Sequence, residues 1–451
     1  MTVTLRARLE GLAGTLRSDR PSAAVAAATA LGLVLRVVWV VVAERDPEGL
    51  FDPARYRGYA RAIGEGRGMV EPLTGQPTAY FPPGYPWFLG IIDWVVTHSP
   101  LPDDVPFAAG LVQAALGAGS VVLVAVLGRR LLSPWAGAAA AALVAVMPSL
   151  VLHTGTLLSE TLAIAVLLAF LVALVPPPSA GPWPTGMTAR RLVGAGVLLG
   201  AVVLVRPVSV GVLGAVGVGW LASGRGWRRT GRDLAVLVGV AALCVAPWTV
   251  RNLIRMDAPV VLSTNTGDNL CIGHGPGANG GFRLALECST GTGVQDGPGP
   301  EVRSDREKIG RGLRAWRRGW RDEPRLTFRR LAITVERDDD ALRAVQSYDL
   351  DPWLDPGAAR LLSGLSNGAW YVVGVAGLAG AARMVWSRRG EQIIVPLTVV
   401  GLILPPLVTF GEPRFKVPAV PLLIVCAAAL LPVRFRGGPQ EDEAGLLTSP
   451  R

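Results

Sequence analysis

Residues 51–86 read FDPARYRGYARAIGEGRGMVEPLTGQPTAYFPPGYP and follow directly on the first long apolar run of the chain. Asp52, Arg55, Tyr56 and Tyr59 recur at spacings of three and four, so a short helix would gather them on one face. The segment from Tyr80 through Tyr85 to Pro86 is a rigid aromatic–proline corner that turns the chain back toward apolar sequence. One reading is an interfacial loop with aromatic anchors, because Tyr and Trp favour the headgroup level of a bilayer. The other is a loop that concentrates reactive groups at a membrane surface, above a cavity built by the remaining chain.

The 451 residues are 50% hydrophobic and 17% charged, with a mean hydropathy of +0.41. Soluble domains carry charge on about a quarter of their residues, so this composition is that of an integral membrane protein. The 55 glycines and 36 prolines suit transmembrane helices that pack closely and break. The net charge of +10 comes without a basic tail or Lys-rich block, so no nucleic-acid partner is expected. The apolar run starting near Pro21 is expected to span the membrane rather than to be a cleaved signal peptide.

Apolar runs fall at 22–43, 105–128, 133–149, 156–175, 192–206, 207–222, 233–250, 367–386, 392–409 and 417–432. Arg206-Pro207 separates two runs that are each short for a crossing, so 192–222 reads either as two spans or as one broken helix. Counting two places Arg129, Arg130, Arg190, Arg191, Arg225, Arg228, Arg229, Arg232, Arg388 and Arg389 on the cytoplasmic side, as the positive-inside rule requires. The expected fold is an all-α polytopic membrane bundle of about ten transmembrane helices with both termini inside. Its expected parts are a cytoplasmic segment 1–21, a transmembrane module 22–250 containing the outer loop 44–104, an outer loop 251–366, C-terminal helices 367–432 and a cytoplasmic tail 433–451.

In the second loop, Ser263–Phe282 (STNTGDNLCIGHGPGANGGF) is rich in Gly and Asn, including Asn265 and Asn269, and is expected to form tight turns rather than a helix. Ile309, Leu313, Trp316 and Trp320 share a helical face, and Phe328, Leu331, Ala332 and Val335 repeat the pattern. These are amphipathic helices, lying either on the membrane surface or packed against each other. A Cys271–Cys288 disulfide is expected, both residues being in the outer loop. Cys244 and Cys426 read as buried small hydrophobes. His98, His153 and His274 are scattered and spell no metal site, and no cofactor is expected.

Ionisable residues inside apolar runs are costly unless sheltered. Arg36, Glu160 with His153 just before it, and Arg206 all fall in the outer half of their runs, and Glu412, Arg414 and Lys416 cap the outer end of the last. Glu160 could pair with Arg36 or Arg206 simply to hold helices together. An outward-opening polar cavity with excess positive charge accounts better for their shared depth, and it suits a phosphate-bearing ligand. Arg55, Arg206 and Arg414 could grip phosphate oxygens bidentately, with Lys416 as a point charge. Asp52 is the expected base, since aspartate is ionised at neutral pH and can take a proton from an attacking hydroxyl. Such a set suits displacement at a sugar anomeric carbon with a lipid phosphate as leaving group, and not the facing carboxylate pair of a glycosidase.

Six segments resemble, in order, the polytopic glycosyltransferases of the GT-C type, in the branch of the protein mannosyltransferases and the lipid A aminoarabinose transferase. They are FDPARYRGYARAIGEG, YFPPGYPWFLG, LLSETLAI (157–164), LVRPVS (204–209), APWTVRN (246–252) with the Gly/Asn-rich stretch, and GEPRFKVPAVP (411–421). The resemblance implies a GT-C-like bundle in a bacterial plasma membrane with its site facing outward. It implies that Asp52 is the catalytic carboxylate and that Arg55, the segment around Tyr80, and Arg414 lie near the donor phosphate. It implies a polyprenyl-phosphate-linked sugar donor and a lipid or glycan acceptor, in a protein that is a monomer among membrane lipids. Pro53 follows Asp52 where the protein mannosyltransferases have an adjacent second acid, which counts against a protein acceptor. A lipid-linked-sugar transporter and a protein O-glycosyltransferase are the alternatives.

Overall fold

The computed structural model describes residues 20–100, 102, 104–177, 187–283 and 298–432. Segments 1–19 and 433–451 lie outside the described residues, and with them most of both expected cytoplasmic ends. In chain order the helices begin with α1 (Arg20–Ala43), α2 (Asp52–Gly64), α3 (Gly84–Thr97), α4 (Val105–Leu131), α5 (Pro134–Val146) and α6 (Pro148–Leu152). They continue with α7 (Glu160–Leu174), α8 (Ala189–Val205), α9 (Val212–Ala222), α10 (Trp227–Arg255), α11 (Thr266–His274) and α12 (Pro298–Arg318). The last are α13 (Glu323–Val335), α14 (Asp340–Ala344), α15 (Pro356–Trp386), α16 (Gly390–Val408) and α17 (Val420–Ala428). No strand occurs among the described residues, only isolated bridges between Val70 and Pro77 and between Gly281 and Gly411.

The chain is an integral membrane bundle, but the expectation of about ten transmembrane helices is corrected. Among the described residues five helices, α1, α4, α10, α15 and α16, are long and apolar enough to cross, or six if α5 and α6, bent by 58°, form one broken span. The breaks explain the difference. The run 156–175 yields a helix of 15 residues, and 192–206 and 207–222 yield helices of 17 and 11 residues split by a 3-10 turn at Pro207–Gly211. In 417–432 the prolines at 413 and 418 hold Pro413–Ala419 in a 3-10 turn, leaving only nine residues for α17. Hydropathy sums run through such points, whereas proline removes a backbone donor and clashes with the preceding turn. The placement of both termini inside rested on that count, and most of both terminal segments lies outside the described residues.

A core mostly of small and branched residues joins α4, α5, α7, α8, α9, α16 and α17, with Val124, Leu168, Leu199, Val216 and Ile424 packed around the aromatics Phe170 and Trp220. A second cluster, rich in aromatics, lies under residues 51–86 and includes Tyr56, Tyr59, Met69, Phe81, Tyr85 and Trp248. The start of α2 follows from its sequence: Pro53 occupies the first turn, where its missing N–H costs nothing, and Asp52 places a negative charge at the positive end of the helix. Tyr56, Tyr59, Ala60 and Ile63 then face inward. Helix α3 packs on α2 through Leu89, Gly90 and Asp93 and leaves Trp87, Ile91 and Trp94 exposed.

The stretch expected to be all turns contains α11. Its Cys271–His274 end is buried and the helix packs on α12, so tertiary contact overrides the local weakness of the Gly/Asn composition. Leu313 on α12, Trp320 in the turn after it and Phe328 on α13 remain exposed, so these apolar faces do not fully cover each other. The chain then returns to the bundle: Gly411 N–H donates to Gly280 C=O at 2.8 Å. A side chain at Gly411 would meet Arg330 C=O at 2.1 Å, so only glycine permits this approach.

Arg36 is buried, and its guanidinium donates to the carbonyls of Gly32, Ala145 and Val144 at 2.9, 3.0 and 3.1 Å. Ala145 and Val144 end α5, where the bend to α6 leaves carbonyls without intrahelical donors. Gly117 makes room, since a Cβ there would lie 2.4 Å from Arg36 Nε. Arg36→Met should therefore lower stability by about 2–4 kcal/mol, from two buried carbonyls left unpaired, with Arg36→Lys recovering part. Thermal unfolding in detergent checks this; an unchanged midpoint for the Met variant would refute the capping role.

Candidate active site

Four chain segments meet at one end of the bundle. Asp52 is the first residue of α2, and its Oδ2 lies 2.6 Å from Arg414 Nη2. Arg414 sits in the 3-10 turn after α16, with its Nε 3.4 Å from Glu412 Oε2. Arg206, just after α8, donates from Nη1 to Oε1 of Glu160, the first residue of α7, at 2.6 Å. The Phe415 ring joins the two pairs: the guanidinium carbons of Arg206 and Arg414 lie 6.0 and 5.8 Å from its centroid. Tyr56 closes the floor, packed on Phe81 and Tyr85 at 4.9 Å from each ring. Burial pushes its phenol well up, so it is neutral.

Charge in this cluster is balanced by contact. Burial opposes the charge of Arg414, but Glu412, Asp52, Tyr348 and Glu160 outweigh it and raise its pKa well above the ordinary value. Burial pushes Glu412 up to about 7; Arg414 opposes the shift while Asp340, Asp52 and Glu160 add to it. Asp52, Glu160 and Glu412 thus face Arg206 and Arg414, and the excess of positive charge expected from the sequence is absent around this cluster.

Other expected site residues have different partners. Arg55 lies 3.5 Å from Glu71 and 3.3 Å from the Tyr59 hydroxyl, with Tyr80 and Phe81 rings against its guanidinium. Tyr59 donates to Glu71 at 3.0 Å, Tyr85 to Gln113 at 3.0 Å, and Tyr80 to Asp268 at 3.0 Å, where Lys308 also binds at 2.7 Å. Lys416 is fully buried against Asp338 at 3.1 Å and the carbonyls of Arg337 and Pro413, with the Trp370 ring 4.7 Å away. Burial lowers Lys416 and raises Asp338, and each partly offsets the other's shift. Lys416 thus ties the Pro413–Ala419 turn to the segment that follows α13. Arg36 is the carbonyl cap described above and makes no carboxylate contact. His153 is buried and donates from Nδ1 to Ser149 C=O at 2.7 Å. Asn265 accepts from Ser263 at 2.9 Å ahead of α11, and Asn269 lies on that helix. Cys271 is disulfide-bonded; Cys288 lies outside the described residues.

Sequence reasoning did not find Glu71, Phe415 or Tyr348. Tyr348 lies in a run of three left-handed non-glycine residues, Ser347, Tyr348 and Asp349 (φ 50, 53 and 76°). Its ring stands 4.8 Å from that of Phe51, beside Asp52. Such conformations cost about 1–3 kcal/mol each and persist where surrounding contacts fix them. Here Ser347 Oγ accepts from Glu48 N–H at 2.8 Å and Tyr348 donates to Asp340 at 3.4 Å. No sequence signal marks this turn, since none of the three residues is Gly or Asn.

No protein-family model matches the chain, and no curated protein matches it in sequence. Among solved structures it is similar to the oligosaccharyltransferase AglB from Archaeoglobus fulgidus, both in complex with an inhibitory peptide and a dolichol-phosphate and in the apo form. The identities are 14% and 15%, the TM-score is 0.50 in each case, and the match covers 92% and 91% of this chain but 50% of either AglB chain. ArnT from Cupriavidus metallidurans bound to undecaprenyl phosphate matches with 18% identity over 89% of this chain and 77% of that one, at a TM-score of 0.41. The chain thus spans about half the length of the AglB structures it resembles, and what it shares with them is the fold.

Proposed function

We propose that the protein is an inverting membrane glycosyltransferase that moves a sugar from a polyprenyl-phosphate donor to a lipid or cell-envelope glycan acceptor on the extracytoplasmic side of a bacterial membrane. The observation that supports it most is the Asp52 carboxylate held 2.6 Å from the Arg414 guanidinium at one end of a GT-C-type bundle. The acceptor hydroxyl attacks the anomeric carbon, and its proton passes to Asp52. The bond from that carbon to the phosphate oxygen breaks, and polyprenyl phosphate departs with the electron pair. Arg414, with Arg206 beyond the Phe415 ring, faces the charge that develops on the leaving phosphate. Because the leaving group is an anion, no second carboxylic acid need protonate it, in contrast to glycosidases. An outward site is supported by the arginines at the far ends of the long helices, Arg129 and Arg130 closing α4 and Arg383 closing α15.

The test is transfer itself. Purified protein in nanodiscs is given a panel of polyprenyl-phosphate sugars with an envelope lipid and glycan extract, and release of polyprenyl phosphate is followed. Time-dependent release that requires the extract, with an inverted anomeric product, is the expected result. Folded protein that binds polyprenyl phosphate yet releases none from any donor would remove the transferase reading.

A further inference from the structure

Glu412 takes no part in the transfer written above, yet it shares Arg414 with Asp52. Its Oε2 is 3.4 Å from Arg414 Nε, and neither atom makes a hydrogen bond although both are buried. A buried guanidinium N–H without an acceptor is a place that a phosphate oxygen would fill. The groups facing Glu412 are Arg414 from its own segment, Asp52 from α2, Glu160 from α7, Asp340 from α14 and the Tyr348 phenol from the turn after it. Arg414 is the one cation in that set.

Three carboxylates, Asp52, Glu160 and Glu412, thus oppose two guanidinium groups before any ligand arrives. A lipid phosphodiester brings one more negative charge to the same arginine. Like charges crowded into a shielded site do not all stay ionised. Asp52 is held at 2.6 Å by Arg414 and Glu160 at 2.6 Å by Arg206, whereas Glu412 has only the looser 3.4 Å contact. Of the three, it is the one whose charge the site retains least.

We infer that Glu412 is a positioning residue that takes up a proton as the donor phosphodiester binds, releasing Arg414 Nε to the phosphate and making donor capture depend on pH. This rests on the polyprenyl-phosphate reading above. One proton enters from solvent for each phosphodiester bound, so the site's net charge is unchanged by binding. Burial and the neighbouring acids push Glu412 up to about 7. Below that pH the proton is already in place; above it, proton uptake works against binding.

The probe is a polyprenyl methyl phosphodiester, whose charge is constant from mildly acidic to mildly basic pH. Its affinity for the full chain in nanodiscs is measured across that range. The wild type should weaken above neutrality by up to about tenfold per pH unit, the limit for one linked proton. Glu412→Gln should flatten the profile and bind about tenfold more tightly than wild type one unit above neutrality. Calorimetry of the wild type at basic pH, in buffers of different ionisation enthalpy, should find about one proton taken up per probe, and it needs no variant to fold. A wild-type profile without slope, absence of proton uptake, or an unaltered slope in Glu412→Gln would each overturn the inference while leaving the transferase reading intact. A wild type that binds the probe at no pH would instead overturn the polyprenyl-phosphate reading and this inference with it.

Discussion

Asp52→Asn is expected to lower the rate of sugar transfer by about a thousandfold, within the 10²–10⁴ range that a positioned general base contributes. The substitution keeps the shape of the side chain and the N-terminal position on α2, where Pro53 and not a side-chain cap starts the helix. It removes the proton acceptor and the 2.6 Å ion pair with Arg414. Donor binding should be unchanged or tighter, because Arg414 then has one competitor fewer for the phosphate. The loss should therefore fall on kcat and not on KM. Single-turnover release of polyprenyl phosphate, alongside probe binding by the same preparation, reads both. Activity within tenfold of wild type would dismiss Asp52 as the base.

Arg414→Lys should cost about 10²-fold or more in kcat/KM, although it preserves the charge. The planar fork reaches Asp52 through Nη2 and Glu412 through Nε at once, a division that a single ammonium cannot reproduce. Truncation to Ala would confound catalysis with folding, since it leaves Asp52 and Glu412 facing each other in a shielded site. Pairing Arg414→Met with Glu412→Gln limits that excess charge and isolates the loss of the phosphate ligand. The paired variant should fold and show no measurable transfer. Wild-type kcat/KM in Arg414→Lys would mean that the phosphate is held elsewhere.

How far these residues could be read from the chain depends on what each one touches. Asp52 and Arg414 could be singled out because one is an ionised acid at the edge of the polar loop after the first apolar run and the other caps the last run, where a charge calls for explanation; the structure brings the two together. The Arg206–Glu160 pair was legible as one of two ways to satisfy Glu160, and the geometry selects it over a pair with Arg36. The roles of Arg36 and Lys416 were not legible. Arg36 answers carbonyls freed by a bend between α5 and α6, and Lys416 answers Asp338, which no local pattern associates with it. The helix count failed for a related reason: apolar composition reports whether a segment can lie in lipid, but proline and glycine decide how long the helix runs before it breaks. The short α11 escaped in the other direction, because its support comes from α12 and not from its own residues.

The hydrogen bond from Gly411 to Gly280 lies three residues ahead of Arg414, the arginine paired with Asp52. The segment between α10 and α15 is thereby spliced into the backbone that aims Arg414, and glycine is required at the seam. Under the proposed transfer reaction, a chimera that exchanges this segment would not alter that segment's own contacts alone. It would also re-aim the guanidinium, so donor turnover and acceptor preference in this chain should change together rather than as separable modules.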